Sequence, residues 1–169
     1  MHQQGRQLQY ELEESMINLR KITEENFFNA FNLKLASGQE RFVSHPVRSL
    51  AQAYVYRDQC QPFGIYDDDS MVGYVMVIYD YDIPEYDIWH MMIDGSKQGR
   101  GYGSAALDRV LDYIRTRPFG SSDRVTLTCH VDNVPALHLY REKGFTETGA
   151  VDEDETELSM VVQQQVQQE

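Results

Sequence analysis

Apolar residues recur along the chain in two rhythms. Leu107, Val110, Leu111 and Ile114 stand at i, i+3, i+4 and i+7, the spacing of one buried helical face, and Pro118 and Gly120 close that helix. Short apolar runs bounded by turn residues predict strands over 16–22, 62–67, 71–79, 86–94 and 124–131, with 145–151 and 156–162 pairing around the acidic turn Asp152–Glu155. Thr23, Glu24, Glu25 and Asn26 predict a helix start before 27–36, and a second helix covers 47–57. Residues 133–144 read as a helix with Asn133 near its cap, Pro135 in its first turn and Gly144 at its stop. The order β α α β β β α β α β β predicts a mixed α/β domain: a mostly antiparallel central sheet with one strand–helix–strand crossover at its centre.

Both ends lie outside this pattern. Residues 1–15 are polar and glutamine-rich, and 163–169, QQQVQQE, carry no packed rhythm, so a flexible extension and a flexible tail are expected around one domain at 16–162. The start has no basic residues followed by an apolar stretch, which argues against a secretory signal and for a cytoplasmic location. No apolar run approaches the ~20 residues of a membrane span. Fifteen Lys and Arg against 27 Asp and Glu give a net charge of −12, a field that repels nucleic acid and attracts cations. Cys60 and Cys129 form no CxxC pair, and the five histidines lack metal-ligand spacing, so no disulfide framework and no metal site is predicted.

The chemistry concentrates at QGRGYG, residues 98–103, between a predicted strand and a predicted helix. Glycines there bare backbone N–H groups at the positive end of a helix dipole, an anion site; the same glycines also suit a plain tight turn. A P-loop is excluded because Ser104 and Ala105 follow Gly103 with no lysine, and a dinucleotide fingerprint because position 104 is serine rather than glycine. Gln98, Gly101 and Gly103 fit every fixed position of Q/R-x-x-G-x-G/A, and NVPALHLYREKGF (133–145) fits N-x-x-A-x-x-L-Y-x-x-x-G-F. Together these two motifs, about thirty residues apart with a strand between them, resemble the GNAT superfamily of acetyl-CoA-dependent N-acetyltransferases. The resemblance spans roughly 16–162.

That resemblance implies a GNAT-like fold with acetyl-CoA as co-substrate. It places Met91, Met92 and Ile93 along the pantetheine arm, with Asn133 bonded to it. Gln98, Gly99, Arg100, Gly101, Tyr102, Gly103 and Ser104 form the pyrophosphate turn. Arg100 is the favoured source of local positive charge over Lys97, Arg141 and Lys143. Tyr140 matches the tyrosine that protonates the departing thiolate, a task suited to a phenol that is fully protonated at neutral pH. Superfamily members that place an acidic base on the strand before the turn have no counterpart in DIWHMMID; His90 is the candidate base there, with Glu85 or Asp87 acting through water, and a structural histidine is the competing reading.

The stretch 79–87, YDYDIPEYD, gathers Asp80, Asp82, Glu85, Tyr86 and Asp87, carboxylates and a ring able to hold an alkylammonium, with a solvated acidic turn between two strands as the competing reading. Residues 49–76 are also similar to the corresponding segment of bacterial spermine/spermidine and diamine acetyltransferases. The expected reaction is direct attack of a polyamine primary amine on acetyl-CoA in a ternary complex, no motif activating either cysteine for an acetyl-enzyme. Another amine (an aminoglycoside, a protein N-terminus or a lysine) and a non-catalytic acyl-CoA-binding module are the alternatives. Related acetyltransferases are often homodimers, so self-association is a further expectation.

Overall fold

Residues 17–163 are described by the structure, a computed structural model; the predicted extension at 1–15 and all of the predicted tail except Gln163 lie outside them. The elements follow the predicted order: β1 (Ile17–Lys21), α1 (Phe27–Phe31), α2 (Pro46–Val55), β2 (Cys60–Asp67), β3 (Ser70–Asp80), β4 (Glu85–Ile93), a 3-10 turn at Gly95–Lys97, α3 (Tyr102–Arg115), β5 (Arg124–His130), α4 (Val134–Glu142), β6 (Thr146–Asp152) and β7 (Glu155–Val161). The strands make one seven-stranded sheet in the order β1-β2-β3-β4-β5-β7-β6. All neighbours are antiparallel except β4 and β5, which run parallel on either side of the α3 crossover, as the predicted architecture requires.

Two cores cover the two faces of the sheet. Leu107, Val110, Leu111 and Ile114 of α3 are buried against Val75, Val77, Tyr86, Ile88, Val125 and Leu127. On the other face Leu33 and Ala53 cover Tyr74, Met76 and Met92. The α3 residues are the four whose spacing predicted the helix, and their near-complete burial shows why an amphipathic stripe forms there.

One element is shorter than its pattern. The helix predicted over 27–36 stops at Phe31, where the Asn32 N–H bonds back to Phe28 O. Asparagine at 29 and 32 weakens helical propensity, and Leu33 leaves the helix line to enter the second core, so burial of one leucine outweighs a continued turn.

The centre of the sheet is irregular at the place that matters. β3 and β4 lose register between Met76 and Val77, leaving Trp89 as the extra residue of a bulge in β4. Without it, strict alternation would put His90 on the α3 face with Ile88. With it, Trp89 and His90 stack on the α2 side, ring centroids 4.9 Å apart, while Met91 and Ile93 rejoin the α3 core. No helix among the described residues is long and apolar enough to cross a membrane.

Candidate active site

β4 and β5 pair only at Tyr86–Val125 and Asp87–Thr126. Beyond those residues the strands diverge, and a cavity of about 440 Å³ opens between them, walled by Ile88–Ile93 on one side and Thr128 and Cys129 on the other. The glycine turn and the start of α4 close its ends, and residues 39–44 lie across it.

The turn is shaped as its glycines demand. Gly99 and Gly101 hold φ of 76° and 82°, the left-handed region costly to any residue with a Cβ. Gly101 is the N-cap of α3, and the first helical bond runs from Ala105 N–H to its carbonyl at 3.1 Å. The N–H groups of Tyr102, Gly103 and Ser104 precede that bond and have no helical partner, so the turn ends in a row of donors at the positive end of a 14-residue helix. Gly103 has ordinary φ, and a Cβ there would meet Leu139 at 3.6 Å, a normal contact. Backbone conformation therefore calls for glycine at 99 and 101, while nothing in the packing at 103 excludes a Cβ.

Gln98 lines the cavity and also braces the turn. Its Nε2 donates to Ile93 O at 3.1 Å and to Gln39 Oε1 at 2.8 Å, while Gln39 Nε2 donates back at 3.3 Å. Arg100 lies elsewhere than expected: its guanidinium stands at the Tyr102 hydroxyl, which donates to Asp67 Oδ2 at 2.6 Å and is pushed up chiefly by that bond. The cation that lines the cavity is Lys97. Arg141 and Lys143 are engaged by Glu147 and Asp108.

At the α4 end, Asn133 occupies the N-cap position without capping: its side chain makes no cap hydrogen bond, and the residue lines the cavity. Tyr140, two turns further along α4, also lines the cavity, its ring 6.0 Å from that of Phe145 and its hydroxyl pushed above the ordinary phenol range by burial. That hydroxyl has no protein partner among the described residues, yet the one enclosed side-chain polar atom without a partner is Gln52 Oε1, so the Tyr140 oxygen opens onto the cavity. His90 lines the opposite wall; its Nδ1 lies 2.7 Å from Ser49 Oγ, and burial, then the nearby Arg48 charge, lowers its pKa to about 4. It is a neutral imidazole at physiological pH.

The acidic stretch is placed away from this cavity, which corrects the expectation that it faces an acceptor. The cleft is made by the second half of β4, and 80–85 is the hairpin at its first half. Asp80 accepts the N–H groups of Asp82 and Ile83, capping its own turn, and Asp82 is exposed there. Glu85 pairs with Arg124 at 2.7 Å. The Tyr86 hydroxyl donates to Gly120 O and accepts from the Phe119 and Gly120 N–H groups, a brace for the α3–β5 loop. Asp87 is half-buried and accepts from Thr126 Oγ1 at 2.9 Å, and desolvation raises its pKa to about 7. None of the five lines the cavity.

Sequence reasoning missed Gln39, Phe42, Val43, Ser44, Thr128, Cys129 and Glu155 on the cavity wall, and Ser49 behind it. The 39–44 segment is polar and irregular and carries no periodic signal that would single it out. No group of three or more metal-ligating side chains occurs among the described residues.

The model of the Acetyltransferase (GNAT) family matches residues 18–145. The spermine/spermidine N(1)-acetyltransferase of Bacillus subtilis strain 168 is 25% identical over 145 residues, covering 80% of this chain and 91% of that protein. The mycothiol acetyltransferase of Beutenbergia cavernae is 31% identical over 121 residues, 66% of this chain and 40% of that one. Among solved structures, the spermidine N-acetyltransferase of Vibrio cholerae in complex with CoA and spermine superposes with a TM-score of 0.66 at 20% identity, covering 87% of this chain and 96% of that one. A Salmonella typhimurium acetyltransferase that modifies the N-terminal serine of ribosomal protein L7/L12 reaches 0.65 at 16% identity, over 88% and 96%. Splayed central strands, a bulge in β4 against β3, a donor-lined glycine turn and a family match over most of the described residues converge, and the chain belongs to the GNAT family of acetyltransferases.

Proposed function

We propose that the protein transfers the acetyl group of acetyl-CoA to a primary amine by direct attack, and that the amine belongs to a polyamine of the spermidine class. The observation that carries the reading is the cavity itself: free N–H donors at one end, the uncapped Asn133 and the open Tyr140 hydroxyl on the wall, His90 opposite. This arrangement fits an elongated thioester with a polyanionic head. The N–H groups of Tyr102–Ser104, aided by Lys97, would hold the pyrophosphate. Met91, Met92 and Ile93 would run beside the arm, and Asn133 would bond its amides.

Acetyl-CoA supplies an acetyl group activated as a thioester. The amine, having shed its ammonium proton to water, forms a bond to the carbonyl carbon; the C–S bond breaks, the thiolate takes the Tyr140 proton, and the second proton of the attacking nitrogen passes to solvent, from which the Tyr140 phenolate is reprotonated. Burial raises the phenol's pKa, which opposes donation, but a thiolate leaving into the same dry cavity is also desolvated and held above its ordinary range. The two effects act in opposite directions on the proton transfer. Neither cysteine serves as a nucleophile: burial pushes the Cys129 thiol up to about 11 and raises Cys60 as well.

Polyamine as acceptor draws on the spermine and spermidine activity carried in the names of the Bacillus and Vibrio proteins, on the acidic field of this chain, and on Glu155 at the cavity rim. A specific observation favours a second reading. The groove that adjoins the cavity through Phe42, Val43 and Ser44 carries Lys34, Arg41 and Arg48 against Glu40 and Glu155, a local excess of positive charge that suits an amine bearing an anionic group, such as a peptide N-terminus. Thiol release from acetyl-CoA with putrescine, spermidine, spermine, an aminoglycoside, a lysine peptide and an acidic peptide with a free N-terminus separates them. Release confined to the polyamines supports the first reading; release confined to the peptides replaces it with the second.

A further inference from the structure

Behind His90 lies a buried chain of hydroxyls that no motif marks. Ser49 and Tyr74 are both 0% exposed. Tyr74 Oη lies 2.8 Å from Ser49 Oγ, and Ser49 Oγ lies 2.7 Å from His90 Nδ1. The bulge at Trp89 is what turns His90 toward this pair, and α2 brings Ser49 over the sheet to meet it.

The protons in this chain can be arranged in three ways. In the first, Tyr74 donates to Ser49, Ser49 donates to Nδ1, and the imidazole proton sits on Nε2. In the second, Nδ1–H donates to Ser49, Ser49 donates to Tyr74, and the phenol proton is left with Met76 Sδ at 3.9 Å, a thioether and a poor acceptor. In the third, both Tyr74 and Nδ1–H donate to Ser49 Oγ, and the Ser49 proton is left with Met76 Sδ at 3.8 Å, again a poor acceptor. A phenol is the stronger donor and the weaker acceptor of the two hydroxyls, and leaving a buried hydroxyl without a good acceptor is destabilising. Burial also holds the Tyr74 proton firmly. The first arrangement therefore prevails.

The Nε2 atom has no protein partner among the described residues, and it is not enclosed, since the one enclosed unpartnered side-chain atom is Gln52 Oε1; it opens onto the cavity His90 lines. We infer that the Tyr74–Ser49 chain fixes His90 as an Nε2–H donor, which bonds the thioester carbonyl oxygen as charge develops there, so that His90 is an electrophilic catalyst and not the general base. This rests on the acetyl-transfer reading of the cavity. His90 neither gains nor loses a proton in the step, consistent with an imidazole that burial and Arg48, the charge acting on it, keep neutral. Ser49 and Tyr74 are positioning residues.

The test does not require an acceptor. Nitrogen-15 NMR of the free wild-type protein at neutral pH is expected to show Nε2 protonated and Nδ1 bare for His90, with Ser49→Ala shifting the proton partly to Nδ1. A wild-type proton on Nδ1 overturns the inference whatever amine the enzyme uses. In turnover, His90→Gln keeps an N–H near the Nε2 position and His90→Leu does not. His90→Leu is expected to lose on the order of 100-fold in kcat, and His90→Gln to retain at least about ten times more. Equal losses in the two variants would remove the donor role.

Discussion

Gln39 and Gln98 clasp each other's side-chain amides, 2.8 and 3.3 Å apart, joining the loop that crosses the cleft to the turn that begins α3. Gln98 also reaches the last carbonyl of β4. The glutamine of the motif thus sets the shape of the turn to which the proposal assigns the pyrophosphate. Gln98→Ala should loosen that turn and weaken acetyl-CoA binding about fivefold, from the loss of roughly 1 kcal/mol of hydrogen bonding, with kcat at saturation little changed. Calorimetric titration with acetyl-CoA beside steady-state kinetics checks this.

Gly101 and Gly103 should respond differently to the same change. Gly101→Ala meets no atom within 4 Å but must keep φ at 82°, costing about 1–2 kcal/mol and distorting the start of α3. Acetyl-CoA affinity should fall about tenfold. Gly103→Ala enters space already spanned by an ordinary contact with Leu139 and should bind acetyl-CoA within about twofold of wild type. Dissociation constants for the two variants, measured side by side, decide the matter.

The order of elements and the crossover were legible because each rests on local signals: the α3 stripe, the turn residues, the glycines at 99 and 101. The bulge was not, since nothing in DIWHMMID distinguishes Trp89 as an extra residue; it exists because β3 pairs along both halves of β4 on either side of it. Without the bulge the outlook of His90 could not be read, nor its link to Ser49, forty-one residues away. The acidic run misled for a related reason. Composition located carboxylates next to the cofactor strand in sequence, but a strand has two ends, and nine residues of β4 separate the hairpin from the glycine turn.

Asp82→Asn tests that correction. If the hairpin lies away from the acceptor, KM for spermidine should stay within about twofold of wild type. A rise of tenfold or more would return the hairpin to the site.

Asp87 predicts a pH dependence of stability. Its folded pKa, about 7, lies above the ordinary carboxylate value, so between pH 4 and 7 the folded state binds the proton that the unfolded state has released. Stability from this group is therefore highest at low pH and is lost as pH rises through about 7. Asp87→Asn keeps an acceptor for Thr126 and removes the charge; it should raise Tm clearly at pH 8 and little at pH 5. An equal effect at both values would mean the carboxylate is ionised throughout.

The most direct measurement of the account is Tyr140→Phe, assayed for thiol release with the preferred amine and for acetyl-CoA binding in the same preparation. The account predicts a loss of about 100-fold or more in kcat, within the range of general-acid catalysis, with the acetyl-CoA dissociation constant within about twofold of wild type. Unchanged kcat would contradict it, for the Tyr140 hydroxyl would then have no part in releasing the thiol.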